Sequence, residues 1–192
     1  MYIFQEIASC RRCGQLQKLS GIAIQEGHTP FVIIGESPAK DGWIVSKKAF
    51  YNTQGKLQAS GRILSKLLDI IGYKIDDIYF TECCKCIIED RKTLDKCAEN
   101  CKEILFKQLL SLSSFCNVII PMGKSPTQVL LNAKIERFSD YVGKTFDITI
   151  GERSFKVLPI YHTSPLNPKG YAENIPIFEN LKQLLRNNQN HN

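Results

Sequence analysis

Hydrophobic and polar positions along this chain follow two periods. Short apolar runs rich in β-branched and aromatic residues have the length of buried strands, and they lie at 31–34, 77–80, 117–120 and 156–161. Between them, apolar residues recur at helical spacing, most clearly from Ser60 to Ile71, and Gly72 follows as a stop signal. Further helices are predicted at 95–112, from 125 onwards, and at 174–186 with Pro176 in the first turn. Alternating strands and helices predict a parallel sheet covered by helices on both faces.

The C-terminal part of the chain adds a predicted hairpin. Its strands are 146–150 and 154–157, joined through Gly151 and Glu152, and it leads into the last core strand. The polar tail 187–192 is expected to fray. At the other end, residues 1–20 are predicted to form a loop. With 192 residues, 43% of them hydrophobic, the chain can bury one sizeable core, so we expect a single domain over 1–192.

The residues with chemical potential cluster after the predicted strands. The segments concerned are 35–39, 81–86, 123–125 and 162–167. Each follows the carboxyl end of a strand, and ligands of an open parallel sheet bind at that edge. The four segments are therefore expected to converge on one cleft.

Composition narrows the class of protein only slightly. The first residues contain neither a secretory apolar region nor a membrane span, so we expect a soluble cytoplasmic protein that makes no membrane contact. The formal net charge of +6 is compatible with a polyanionic partner, but many proteins without such a partner have this charge.

The eight cysteines carry more information. In a reduced compartment, cysteines at short spacing favour metal or cluster ligation over disulfides. Cys10 and Cys13 form a C-x-x-C among polar residues, and two distant thiolates, Cys86 and Cys101, could complete a zinc or iron-sulfur site. Cys97 lies one helical turn before Cys101 and could replace it. Small buried apolar positions are expected for Cys83, Cys84 and Cys116.

Two further segments invite a functional interpretation. Gly123-Lys124-Ser125 is not a Walker A motif, because Val118 occupies the position of the first glycine of such a loop. His162 follows an apolar strand and precedes a proline-containing loop. A lone histidine is more often structural than catalytic, but its position at the expected cleft favours catalysis.

Taken together, these segments resemble the family-four uracil-DNA glycosylases, the thermostable iron-sulfur type, from Cys10 to about Leu185. Cys10-x-x-Cys13 opens the likeness, and 35–39 matches the family's G-E-A-P-G. Ala49-Phe50 stands for its P-F, and Ser60-Gly61-x-x-Leu64 for its A-G-x-x-L. Lys85-Cys86 matches its K-C, and Cys101 with Gln108-Leu109 matches its fourth cysteine and downstream Q-L. His162-Thr163-Ser164 is similar to its H-P-S, and 162–166 is similar to the H-P-S-P-L of family-one enzymes.

The resemblance implies a three-layer α/β/α sandwich around a four-stranded parallel sheet, and a monomeric DNA-repair glycosylase acting on single- or double-stranded DNA. It implies a 4Fe-4S cluster on Cys10, Cys13, Cys86 and Cys101. It assigns catalysis to His162, as donor to the base, and to Glu36, in the motif that positions the attacking water. The implied substrate-binding residues are Gly35, Ser37, Pro38, Ala39, Phe50, Glu82, Ser164 and Leu166, with Phe50 stacking on the flipped base and Leu166 as a wedge.

One departure from the family pattern affects specificity. Glu82 replaces the asparagine with which the family reads uracil. An ionised glutamate only accepts hydrogen bonds, whereas asparagine also donates. Three alternatives therefore stay open: a glycosylase of altered base specificity, a non-catalytic iron-sulfur module that binds nucleic acid, and a zinc-stabilised small-molecule enzyme. Within the glycosylase, Glu82 either reads the base at the pocket floor or turns away to pair with Lys85 or another cation. Asn52 and Gln54, in an insertion relative to the family, are further candidates for base contacts.

Overall fold

The computed structural model describes residues 2–14 and 24–189, with side chains described for 5–14 and 24–186. The strands are β1 Ile24–Gln25, β2 Phe31–Gly35, β3 Tyr79–Glu82, β4 Val118–Pro121, β5 Phe146–Ile150 and β6 Arg153–Val157. The helices are α1 Tyr2–Ser9, α2 Trp43–Ser46, α3 Ala59–Ile71, α4 Leu94–Ser111, α5 Lys124–Leu131, α6 Lys169–Ala172 and α7 Ile175–Gln189, with 3-10 turns at Arg91–Thr93 and Phe138–Asp140. None of these helices has both the length and the apolar content needed to cross a membrane.

The strands form one mixed sheet in the order β1-β3-β2-β4-β6-β5. Its four central strands are parallel, and β1 and β5 pair antiparallel at the two edges. The four-stranded parallel sheet that the resemblance implies is the centre of this larger mixed sheet, and the antiparallel edge strand β1 was not predicted. A two-residue strand such as β1 is too short to produce a readable alternation of apolar and polar residues, and the hairpin supplies the other edge.

The predicted hairpin is confirmed, because β5 and β6 turn at Gly151 with a positive φ of 57°. However, β6 is itself the last central strand, paired with β4, and not an element leading to a separate one. Beyond β6 the backbone continues to pair with β4, through hydrogen bonds from Leu158 to Ile119 and from Ile160 to Pro121 and a bridge between Ile160 and Met122. The strand predicted at 77–80 lies two residues later, at Tyr79–Glu82.

The two faces of the sheet pack against different helices. Because strand side chains alternate, Phe31 and Ile33 face one side and Val32 and Ile34 face the other. The first side packs against α3 and α7, and the second against α4 and α5. All four of these side chains are fully buried. Helices therefore cover both faces, as expected from the alternating pattern.

The predicted helix boundaries hold with small shifts. Helix α3 ends at Gly72, which has a left-handed φ of 82° and donates from its backbone N–H to Leu68 and Asp69. Helix α7 continues to Gln189, three residues past the predicted end, and the rest of the polar tail lies outside the described residues.

The N-terminal segment departs further from the sequence prediction. Residues 2–9 form helix α1 where a loop was expected, and 15–20 lie outside the described residues. Ile7 of α1 packs on Ile104 of α4, and Lys107 forms an ion pair with Glu6. This packing holds the turn that follows, with its two cysteines, beside α4.

Candidate active site

Three of the four segments that follow the central strands border two adjoining spaces at the carboxyl edge of the sheet, namely 35–39, 81–86 and 162–167. The fourth, 123–125, does not line these spaces, but its Gly123 packs against Glu36. One space is a small cavity of about 110 Å³, lined by Gly35, Ser37, Ala39, Phe50, Glu82 and His162. The other is an open cleft of about 840 Å³, to which Glu36, Pro38, Ser164 and Leu166 contribute. Ser37, Ala39 and His162 border both. The structure thus brings together all ten residues that the sequence suggested for catalysis and substrate binding.

An aromatic wall closes one side of the small cavity. Phe50 is buried, and its ring lies 4.4 Å from that of Phe80 at a 54° tilt. Its backbone has a φ of 66°, which is uncommon for a residue with a large side chain. Phe50 packs closely against helix α3 at Gly61, which has no side chain. A Cβ at Gly61 would lie 2.8 Å from Cβ of Phe50, so a larger residue would prevent this contact. The A-G-x-x-L-like segment is therefore a packing surface for this phenylalanine.

Glu82 lies at the cavity, on the same face of the sheet as Gly35. The two residues are direct partners in the register of β2 and β3. The Glu82 carboxylate fills the space over Gly35, where a Cβ would collide with Oε2. That oxygen is buried and accepts no hydrogen bond from any described residue. Burial raises the pKa of the Glu82 carboxyl to about 8, although nearby Lys85 opposes the rise. At neutral pH the group is therefore mainly a neutral carboxylic acid.

His162 is held by its own loop. The backbone N–H of Ser164 donates to Nδ1 of His162 at 3.0 Å, and the Asn167 amide donates to its carbonyl at 3.0 Å. Burial lowers the pKa of His162, although Glu36 opposes the shift. A neutral ring that accepts at Nδ1 carries its proton on Nε2. The imidazole is thus a neutral donor at the junction of the cavity and the cleft.

Glu36 is fixed between two elements. The Arg91 guanidinium donates to Oε2 of Glu36 from the 3-10 turn after β3. On the other side, a Cβ at Gly123 would lie 2.7 Å from Oε1, so only glycine leaves room for the carboxylate there. The Gly123 backbone, at a φ of 103°, begins helix α5. The glycine of Gly123-Lys124-Ser125 thus accommodates Glu36, whereas Ser125 donates a hydrogen bond to Asp95.

A buried polar network lies on the opposite face of β3. The Lys85 side chain is 1% exposed, and its Nζ donates to Thr81 Oγ1 at 2.8 Å and to the backbone carbonyl of Glu82. Thr81 in turn donates to Gln108 at 3.1 Å. Burial lowers the pKa of Lys85 to about 8. Lys85 therefore binds the backbone of Glu82, and the alternative in which the Glu82 side chain turns out of the cavity to pair with Lys85 is wrong.

Four cysteines border a small void beyond this network. It is lined by Cys10, Cys13, Cys86 and Cys101, together with Ile7 of α1 and Lys85. Within 2–14 and 24–189, no three His, Cys, Asp or Glu side chains converge closely enough to hold a single metal ion. The thiols therefore surround a space and do not meet at a point.

Hydrogen bonds reach the sulfurs of Cys13 and Cys101. Asn100 donates to Cys13 Sγ at 3.2 Å, and the Lys85 backbone N–H donates to Cys101. Cys97 does not border the void, and it forms side-chain hydrogen bonds with Cys101 and Cys84. The buried positions expected for the remaining cysteines are confirmed for Cys83, Cys84 and Cys116.

Several residues that line the site were missed by the sequence analysis, and three of them carry polar groups of interest. Trp43 and Gln58 line the small cavity, and Arg91 lines the cleft. Trp43 is buried, and its indole nitrogen has no acceptor among the described residues. Of the insertion candidates, Asn52 instead builds its own turn, accepting from the backbone of Gln54 and Lys56 at 3.0 Å.

The geometry can be compared with known proteins. The sequence model described as the Uracil DNA glycosylase superfamily matches residues 23–186. The chain is also similar to the Type-4 uracil-DNA glycosylase of Archaeoglobus fulgidus, with 27% identity over 168 residues. This alignment covers 83% of the present chain and 79% of the archaeal protein.

Proposed function

This chain belongs to the uracil DNA glycosylase superfamily, and from that premise we propose that it is a DNA-repair N-glycosylase whose main substrate is uracil in DNA. The observation that carries the proposal is the neutral His162 at the junction of a base-sized cavity and an open cleft. A DNA strand lies in the cleft, and the damaged nucleotide is flipped so that its base enters the cavity.

His162 supplies electrostatic stabilisation. Cleavage of the N-glycosidic bond leaves negative charge on the departing base, and Nε2–H donates a hydrogen bond to the base oxygen where that charge develops. The ring does not need to be charged for this task. Because Ser164 holds Nδ1, the donor is oriented before the substrate arrives.

Glu36 acts on the sugar side of the bond. The leaving base turns the sugar into an oxocarbenium-like cation, which a fixed carboxylate stabilises. The same carboxylate accepts a hydrogen bond from the water that attacks C1′ and so orients it. Its contacts with Arg91 and Gly123 prevent it from turning away.

Phe50 and Glu82 read the base. Phe50 stacks on the flipped ring, and the small cavity favours one ring over two. A neutral Glu82 has one acceptor oxygen and one donor hydroxyl, which is the pattern that an asparagine amide presents to N3–H and O4 of uracil. Burial of Glu82 thus restores the function that its sequence identity put in doubt.

Leu166 extends from the same loop as His162 and is 92% exposed. It lines the open cleft, so it faces the DNA strand that the cleft is proposed to hold. In the complex it fills the gap that the flipped base leaves in the duplex, which offsets part of the few kcal/mol lost in unstacking.

Cys10, Cys13, Cys86 and Cys101 hold a 4Fe-4S cluster. The donor set fits this group, because four cysteine thiols border one void and four cysteine thiolates are the usual ligands of a 4Fe-4S cluster. When bound, the cluster supplies a rigid joint between the turn after α1 and the loop after β3. Hydrogen bonds from Asn100 to Cys13 and from the Lys85 backbone to Cys101 orient these two sulfurs.

A second candidate function is a non-catalytic module of the same fold that binds nucleic acid. Glu82, in place of the family's asparagine, is the residue that favours it. One experiment separates the two: purified protein is incubated with labelled oligonucleotides carrying uracil, hypoxanthine, xanthine or a G·T mismatch. We expect abasic sites with uracil first of all. Binding without abasic-site formation on any substrate would establish the module.

A further inference from the structure

Arg91 lies at the candidate active site, although none of the sequence motifs pointed to it. It begins the 3-10 turn after β3, its side chain is 64% exposed, and it lines the cleft that also contains Leu166. One nitrogen, Nη2, donates to Glu36. A guanidinium has five donors in a planar fork, so one contact with a carboxylate leaves others available for a second anion.

The balance of charges at the cleft shows why a second cation is needed there for DNA binding. Among the residues that line it, Glu36 and Glu89 are acidic, and Lys40 and Arg91 are basic. Without Arg91, two carboxylates would face one ammonium, and the cleft would repel the phosphates of the DNA it has to hold. Arg91 lies directly on Glu36, so it neutralises the carboxylate closest to the reacting sugar.

We propose that Arg91 bridges Glu36 and a DNA phosphate next to the flipped nucleotide. Through Glu36 it is a positioning residue, since it fixes the carboxylate that orients the attacking water. Through the phosphate it sets the register of the strand in the cleft. This inference rests on the proposed glycosylase function and assigns it a residue that the sequence analysis did not single out.

The bridge needs the guanidinium fork and not charge alone. A lysine at 91 would still attract phosphate, but one compact ammonium cannot hold a carboxylate and a phosphate in fixed directions. Arg91→Lys is therefore expected to retain DNA affinity and lose catalytic rate. Arg91→Met is expected to lose both.

The test measures two quantities on a uracil duplex: the single-turnover excision rate, and the slope of binding affinity against salt concentration. For Arg91→Met we expect the slope to fall by about one and the rate to fall about tenfold to a hundredfold, as for a misplaced catalytic group. For Arg91→Lys we expect the slope of the wild type with the rate loss. Lys92→Met is the matched control: it removes the neighbouring charge, outside the cleft, and leaves the rate unchanged.

A double-mutant cycle tests whether Arg91 acts through Glu36. In a Glu36→Gln background, Arg91→Met should cause no further loss of rate and should still reduce the salt slope. An equal loss of rate in both backgrounds would overturn the positioning role, and an unchanged slope would overturn the phosphate contact. A different result would contradict the proposed function, namely wild-type protein that excises no base. The salt dependence of DNA binding can still be measured in that case.

Discussion

The backbone N–H of Ser164 lies 3.0 Å from Nδ1 of His162 and donates a hydrogen bond to it. This one bond determines which ring nitrogen carries the proton. The side chain of Asn167 anchors the His162 carbonyl at 3.0 Å, so the loop fixes both ends of the residue. The backbone conformation of the loop thus determines which ring nitrogen of His162 donates a hydrogen bond and which accepts one.

Replacing His162 with alanine should remove transition-state stabilisation and leave binding intact. We expect the single-turnover excision rate to fall by about a hundredfold or more, with little change in the affinity for uracil DNA. Rapid-quench kinetics and fluorescence anisotropy measure the two quantities. His28→Ala, at an exposed histidine that lines neither the cavity nor the cleft, should change neither. Equal losses of rate and affinity would indicate ground-state binding by His162.

Glu82 should make excision of uracil sensitive to alkaline pH. Because burial raises the pKa of Glu82 to about 8, the donor hydroxyl is lost as pH rises through that value. We expect the rate on uracil to fall over this range, and Glu82→Gln, which keeps a donor and an acceptor, to abolish this part of the fall. A pH profile of single-turnover rates for the two proteins tests this. If the profiles coincide, Glu82 does not read the base.

The same carboxyl should also affect folding stability. Between the pKa of an unfolded glutamate, about 4.3, and the folded value, the folded protein holds a proton that the unfolded chain has released. Stability is therefore greatest below this window and decreases as pH rises through it to about 8. Melting temperatures at about pH 6 and about pH 9 should differ less for Glu82→Gln than for the wild type.

The cysteines can be assigned by colour. Protein purified without oxygen should be brown, and Cys101→Ser should bleach it because Cys101 borders the void. Cys97→Ser should leave the visible absorbance intact, since Cys97 does not border it. Cys116→Ser, at a buried cysteine near Arg153, controls for general damage to the core. A colourless wild type containing zinc would overturn the cluster assignment.

Leu166 should increase the excision rate mainly on duplex DNA. Because a wedge acts on base flipping, Leu166→Ala should slow excision from a duplex much more than from a single strand. Leu110→Ala is a matched control, since Leu110 is also exposed but lies outside the cleft. Equal effects of Leu166→Ala on both substrates would contradict the wedge role.

Gly123 should be required for the position of Glu36. In Gly123→Ala the new Cβ would meet Oε1 of Glu36, and the positive φ adds strain of about 1–3 kcal/mol. We expect a lower melting temperature and a slower excision rate. Gly72→Ala is a control at a left-handed glycine with open space around the Cβ, and it should lower the melting temperature only. Normal excision by Gly123→Ala would show that Glu36 tolerates displacement.

The parts of the site that could be predicted from sequence are those tied to strand ends. His162, Glu36 and Glu82 each follow or end a central parallel strand, so one rule of sheet architecture placed them at a common edge. The C-x-x-C of Cys10 and Cys13 could also be recognised from sequence as a candidate ligand pair, because the neighbouring residues are polar and a buried apolar role was implausible.

Other parts depend on tertiary contacts that no local pattern encodes. Arg91 lies in a charged stretch that reads as an exposed surface, and its pairing with Glu36 spans 55 residues. Trp43 and Gln58 reach the cavity from irregular segments around α2 and α3. The neutral state of Glu82 follows from burial against Gly35, which becomes apparent only once the register of β2 and β3 is known.

The contact between Gly35 and Glu82 constrains the order in which this site can evolve. A side chain at position 35 would collide with the glutamate carboxylate, and the Phe80 ring would lie 3.0 Å from the new Cβ. If Glu82 is first shortened to asparagine, the larger of these two obstacles disappears. The order of substitution is therefore constrained. Residue 82 can change while residue 35 is still glycine, but a change at residue 35 first would give a protein with a blocked pocket. Across natural descendants of this lineage, larger residues at 35 should occur only where 82 is already small.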